Sequence, residues 1–213
     1  MIAEAALTSF IAALFSMTNP IGNLGIFAGL TAGRPPMEAR RIALTCAVAT
    51  AVTLLVVAWA GTAVLAFFGI GVDALRTAGG LIVLLIGLHM LFNKAEHKHS
   101  EGELDDAKDR ASIGVVPLAI PIVAGPGTMT AVLVAVQQHP SVLDRAEISA
   151  VILARSALVG ALFCLGGPLS KRLGTAGMGV VTRVMGMILA AIAVGMLAEG
   201  LGALLPGLAG TAH

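Results

Sequence analysis

The chain has no tyrosine, one tryptophan and seven phenylalanines in 213 residues, and only 12% of its residues are charged. So little charge excludes an open, solvated chain, which depends on high charge and low hydrophobicity. Thirteen Lys and Arg against twelve Asp and Glu leave a net charge of +1, so there is no basic field for nucleic acid. The two cysteines, Cys46 and Cys164, stand alone in apolar runs and form neither a disulfide framework nor a metal-ligand spacing. A GxxxxGK[ST] loop is missing, as are a HExxH helix and any nucleophile with a base at membrane depth, so no catalytic residue, cofactor or resident metal is expected and the chain does not read as an enzyme. What is abundant is apolar: 57% of residues are hydrophobic and the mean hydropathy is +0.95, values that belong to an integral membrane protein. No run alternates apolar and polar residues with a period of two, so the spans are expected to be helices and not strands of a barrel.

Crossing roughly 30 Å of hydrocarbon takes about 20 apolar residues. Six runs qualify: 5–30, 42–68, 77–92, 111–138, 148–168 and 180–205. Glu4 stands where a signal peptide would carry a basic residue, so the first run is expected to be a retained span. The segment KAEHKHSEGELDDAKDR, residues 94–110, is the strongly polar stretch and separates three spans from three. The chain therefore divides into 1–93, the first three-helix unit; 94–110, a charged loop; 111–205, the second unit; and 206–213, a tail.

Alternating the span ends places Arg34, Arg40, Arg41, Lys94, Lys98, Lys108, Arg110, Lys171, Arg172 and Arg183 on one side and only Arg76 and Arg145 on the other. By the positive-inside rule the 94–110 loop is cytoplasmic and both termini are external. An odd number of spans per unit would invert any second copy relative to the first, the arrangement common among secondary transporters. Two landmarks recur at almost one offset. MTNPIGNLGIF carries Pro20 and IVAGPGTMTAV carries Pro126, 106 residues on; R-x-x-G opens the third span at Arg76 and the sixth at Arg183, 107 residues on.

Pro20 with Gly22, and Pro126 between Gly125 and Gly127, should break the first and fourth spans near the midplane. A break frees N–H groups at the start of one half-helix and carbonyls at the end of the other. The N–H end suits a carboxylate and the carbonyl end an ammonium group or a cation, so the pair describes a zwitterion. Thr18, Asn19, Asn23 and Thr128 add neutral donors and acceptors at the same level. The candidate substrate-binding residues are therefore Thr18, Asn19, Pro20, Gly22, Asn23, Gly125, Pro126, Gly127 and Thr128. The glycines keep the cavity small or let the backbone approach the ligand.

Arg155 lies inside the fifth span, where an unpaired charge costs several kcal/mol. It either assists by binding an anion, snorkels to the interface, or bonds the carbonyls of a broken helix. Asp73 and Arg76, three residues apart, read as an interfacial pair. Glu199 reads as solvated, His89 as a packing or interface residue, and His97 and His99 as loop residues without metal geometry. No acid sits at mid-membrane, so a buried-carboxylate proton relay is not expected; sodium held by carbonyls, or uncoupled movement, is the alternative.

The segments NPIGNLGIF, PLAIPIVAGPGTMT, LRTAGGLIVLLIGLHML and VTRVMGMILAAIAVGML closely resemble the MarC family, which includes SnatA-type small neutral amino acid transporters. The resemblance covers nearly the whole chain. It implies a six-span protein of the bacterial inner membrane, with glycine and alanine among the substrates of characterised relatives; a coupling ion, sodium or proton, is left open. A small-solute channel, or an exporter of another small metabolite, is the competing reading of the same residues.

Overall fold

The computed structural model describes residues 2, 4–18, 20, 23–31, 33–92 and 114–208. Every regular element among them is helical. The order is α1 (Glu4–Thr18), α2 (Asn23–Leu30), α3 (Pro36–Phe67), α4 (Val72–Phe92), an irregular helical segment Gly114–Val123, α5 (Pro126–Gln138), α6 (Val142–Cys164), α7 (Gly166–Leu204) and a 3-10 turn at Pro206–Leu208.

Four stretches are long and apolar enough to cross a bilayer: Pro36–Phe67, Val72–Phe92, Val142–Cys164 and Thr182–Leu204. They correspond to the second, third, fifth and sixth runs. The first and fourth runs each fold as two shorter pieces. At 1.5 Å per residue the 15 residues of α1 reach only about 22 Å, so neither piece crosses alone.

Local chemistry sets these boundaries. Pro36 occupies the first turn of α3, where its missing N–H is no loss. Gly69, at φ +67°, takes the left-handed position after α3 that a side chain would resist. Ser141 caps α6 by accepting from the Asp144 N–H at 3.1 Å. The expected fifth span ran to Pro168, but α6 ends at Cys164. A bend at Leu165 starts α7, whose first turn tolerates Pro168.

In Gly114–Val123, Val116 (φ −128°, ψ 122°) and Ile120 (φ −125°, ψ 122°) are extended, and each precedes a proline, Pro117 or Pro121. Proline pushes the residue before it out of the α region, so the spacing of four repeats the interruption once per turn. The fourth run is thus irregular from Gly114 to Gly125, well before the single break expected at Pro126.

The long helices pair antiparallel: α3 with α6 and α4 with α7, while α1 packs on α5. Each is the pairing of a run with its counterpart three runs later. Along α3 and α6, Ala47 meets Gly160 and the Trp59 indole donates to Ser149 Oγ at 3.2 Å. Along α4 and α7 the backbones nearly touch. A Cβ on Gly87 would stand 2.9 Å from Gly186 O, and one on Gly186 would stand 2.9 Å from Gly87 O. Without water to expel between helices, such close approach of small residues is the main source of attraction in a bilayer. Phe27 stacks on Phe163 with centroids 4.8 Å apart, fastening α2 to α6. On the outer face of α3, Leu44, Val48, Val52 and Val56 are exposed at helical spacing, a stripe suited to lipid.

Candidate functional site

The two interruptions converge. A cavity of about 100 Å³ is lined by Thr18 and Asn23 from the first break and by Gly125, Pro126, Gly127 and Thr128 from the second. Met17, Val83, Ile86, Met90 and Leu189 supply its apolar walls, from α1, α4 and α7. The space is roughly three water volumes, suited to a ligand of a handful of non-hydrogen atoms and far below the 300–1,000 Å³ of drug-sized sites. Pro20 is buried but does not line the cavity. Asn19 and Gly22 lie outside the described residues, as does the 94–110 loop with His97 and His99.

Both breaks are closed by the same device. Asn23 Nδ2 donates to the Thr18 carbonyl at 2.7 Å, five residues back. Thr128 Oγ1 donates to the Val123 carbonyl at 3.4 Å, also five residues back. Thr18 and Val123 are 105 residues apart, and so are Asn23 and Thr128. Each side chain satisfies a carbonyl that the helix, having stopped, leaves without its usual donor. After the second break α5 starts at Pro126 with Gly125 as a cap that offers no side-chain acceptor. Its first-turn N–H groups therefore have no cap, and Gly127 and Thr128 stand at the cavity wall.

Arg155 of α6 ties the two break ends to each other. It is 7% exposed; Nε donates to Thr18 Oγ1 at 2.6 Å and Nη2 donates to the Val123 carbonyl at 3.2 Å. Of the three readings open for Arg155, outward snorkelling is overturned, because the guanidinium is buried between the breaks. It bonds a freed carbonyl, and Nη1 has no partner among the described residues. The Thr18 hydroxyl also donates to the Leu14 carbonyl at 2.5 Å, so it is used in both directions.

Gly127 is held for packing as well as for access. A Cβ there would overlap the Val83 side chain of α4. Two further hydroxyls are buried on α3 and α6: Thr50, fully buried beside the Cys46 thiol four residues back, and Ser156, 2% exposed and without a partner among the described residues. Thr8, Thr18, Thr31, Thr77 and Ser149 all donate to the carbonyl four residues back, the default for a helical hydroxyl.

Away from the cavity, Arg76 Nη1 lies 3.4 Å from Asp73 Oδ1, the expected pair, and 3.6 Å from Glu199 Oε2 of α7. Glu199 is well exposed, so it is solvated and yet joins this surface cluster. His89 is exposed. No group of His, Cys, Asp or Glu among the described residues is arranged to hold a metal.

Sequence reasoning missed the apolar walls and the second set of proline interruptions. The walls carry no signal beyond ordinary span residues. The interruptions were signalled by VPLAIP, two X-Pro steps four residues apart.

Residues 5–205 match the profile described as MarC family integral membrane protein. The UPF0056 membrane protein YvbG of Bacillus subtilis is 37% identical over 91% of this chain and 92% of its own length. A UPF0056 membrane protein of Methanocaldococcus jannaschii is 36% identical over 90% and 94%, and YhcE of Escherichia coli is 31% identical over 93% of each. No solved structure matches the chain.

Proposed function

The chain belongs to the MarC family of multi-pass integral membrane proteins, and from that premise we propose that it is a secondary transporter of small neutral amino acids, glycine, alanine and serine, working by alternating access. In this reading the six runs are six spans in two inverted three-helix repeats. Both termini are external, the 94–110 loop is cytoplasmic, and the membrane is the bacterial inner membrane.

The observation that carries the reading is that both interruptions line one small cavity. Helices broken at corresponding places in two halves point to a transport site, because a bilayer tolerates non-helical backbone only where it is buried in protein or lines a cavity. The packing of each run on its counterpart supports it: two units related by a pseudo-two-fold can rock against each other, with the cavity at their contact. The size of the cavity supports small substrates.

Within the site, the uncapped start of α5 receives the carboxylate. The break-end carbonyls are weaker candidates for the amine than the sequence suggested, since Thr18 O and Val123 O already accept from Asn23, Thr128 and Arg155. The remaining acceptors for an ammonium group are Asn23 Oδ1 and Thr128 Oγ1.

Purified chain in liposomes tests the proposal directly. Labelled glycine and alanine should accumulate, and preloaded unlabelled glycine should drive counterflow of label. Imposed sodium and proton gradients identify the coupling ion. Flux without counterflow would make the protein a channel, and no flux of any small amino acid would refute the reading.

A further inference from the structure

The polar groups around the cavity are lopsided in charge. Val123 O accepts two side-chain bonds and Thr18 O accepts one, and the Thr18 hydroxyl is used in both directions. Beside the neutral acceptors Asn23 Oδ1 and Thr128 Oγ1, two donor groups stay open: the uncapped first turn of α5, and Nη1 of Arg155, which is buried without a partner among the described residues. The ion pairs within the described part of the protein involve Arg34 and Arg76, not Arg155. The buried acid on the same helix, Asp144, is eleven residues earlier (144 to 155), about 16 Å along the axis. The guanidinium thus stands one hydrogen bond behind the cavity wall, through Thr18 Oγ1, and no ion pair among the described residues includes it.

A buried cation of this kind is stabilised by an anion that enters the site, and it opposes a second cation. The guanidinium does not line the cavity; it acts as a charge behind the wall, bonded to Thr18 Oγ1, while the first-turn N–H groups of α5 stand at the wall itself. We propose that Arg155 supplies the counter-charge for a ligand carboxylate, so that the site recognises short monocarboxylates by that group and takes small amino acids as the members whose amine it tolerates. This rests on the transport reading for its physiological meaning, but it is a statement about binding and is tested as one. It also sets the break against sodium: a metal ion at Val123 O would face the guanidinium already bonded there.

Two unit charges roughly two hydrogen-bond lengths apart, at an effective dielectric constant of about 20, interact strongly enough for roughly a hundredfold change in affinity. The experiment compares glycine, acetate, propionate, glycinamide and sodium chloride as stabilisers of the purified full-length chain in thermal unfolding, and as competitors of labelled glycine uptake in liposomes. Glycine, acetate and propionate should all bind. Glycinamide, which keeps the amine and loses the carboxylate, should be weaker by about that hundredfold factor. Arg155→Lys should preserve the order, and Arg155→Gln should level acetate with glycinamide.

Glycinamide as effective as glycine, chloride as effective as acetate, or Arg155→Gln that still discriminates would each overturn the assignment. Should Arg155→Gln fail to fold, Arg155→Met takes its place: it should level acetate with glycinamide, and continued discrimination would overturn the assignment. Carboxylate binding without any glycine flux would refute transport and leave the assignment of Arg155 standing. Neither binding nor flux would remove both.

Discussion

Replacing Gly127 by alanine adds a methyl group where the Val83 side chain already stands. Val83 is 2% exposed and packed with Leu189 and Ala193, and a β-branched side chain in a helix has one strongly preferred rotamer. It cannot swing aside, so α5 must shift from α4. Overpacking of this kind costs about 1–3 kcal/mol. Alanine is the better helix former by up to about 1 kcal/mol in a helix interior, and by less in the first turn, so Gly127→Ala should lose about 1–2 kcal/mol. Val83→Ala removes two methyl groups' worth of burial, about 1.6 kcal/mol, plus a cavity penalty, for roughly 2–3 kcal/mol. If the two changes were independent, the double variant would lose about 3–5 kcal/mol. In this structure the new methyl enters the space that Val83 vacates, and the double variant should lose only about 1–2 kcal/mol, a coupling of roughly 2 kcal/mol. Unfolding of the four proteins in detergent, by heat or denaturant, measures the cycle. Additive losses, or a Gly127→Ala protein as stable as the parent, would refute the packing argument. Glycine uptake by the double variant then separates the two uses of Gly127: stability regained with uptake still lost means that the ligand needs the same space.

Asn23→Ala should destabilise by about 1–3 kcal/mol, because it leaves the buried Thr18 carbonyl without a donor. Thr128→Val should lose less than about 1 kcal/mol, because Val123 O keeps its bond from Arg155; equal losses in unfolding measurements would contradict the assigned bonds. Arg155→Met gives up two charge-assisted hydrogen bonds, about 1.5–3 kcal/mol each, but also relieves a buried cation that has no ion-pair partner among the described residues, a penalty of several kcal/mol. Its melting point should stay near the parent's while glycine binding is lost, and a large drop in stability would show that the charge is already balanced. Ser156→Ala removes a buried hydroxyl that bonds nothing among the described residues and should stabilise by about 1–3 kcal/mol; a less stable variant would mean that an ordered water bonds it. A cysteine introduced into residues 94–110 should resist an impermeant thiol reagent in intact cells, and prompt labelling would reverse the assigned orientation.

Membrane embedding and helical class were legible in composition and run length, because a bilayer leaves few ways to satisfy a backbone and each demands about 20 apolar residues per crossing. The two breaks were legible as well, since Pro20 and Pro126 act on their own turns and need no distant partner. Helix ends were read less well. Residues 36–41 and 142–147 carry charges that a hydropathy reading excludes, yet α3 and α6 include them, because a helix continues past the hydrocarbon wherever its backbone bonds continue. VPLAIP was legible in principle, as two X-Pro steps that force extended residues at Val116 and Ile120.

Tertiary structure decided which of these local facts share a place. The sequence determined that Thr18, Asn23, Gly125, Pro126, Gly127 and Thr128 sit at interruptions; only packing brought both interruptions to one cavity and closed it with Val83, Ile86, Met90 and Leu189. Arg155 shows the division most clearly. Its position inside an apolar run required that its charge be answered by something, since an isolated charge there costs several kcal/mol. Nothing local could say by what: the answer lies 137 residues away at Thr18 and 32 away at Val123. Burial and period are properties of a segment with its solvent, whereas the partner of a buried charge is set by how separate segments dock.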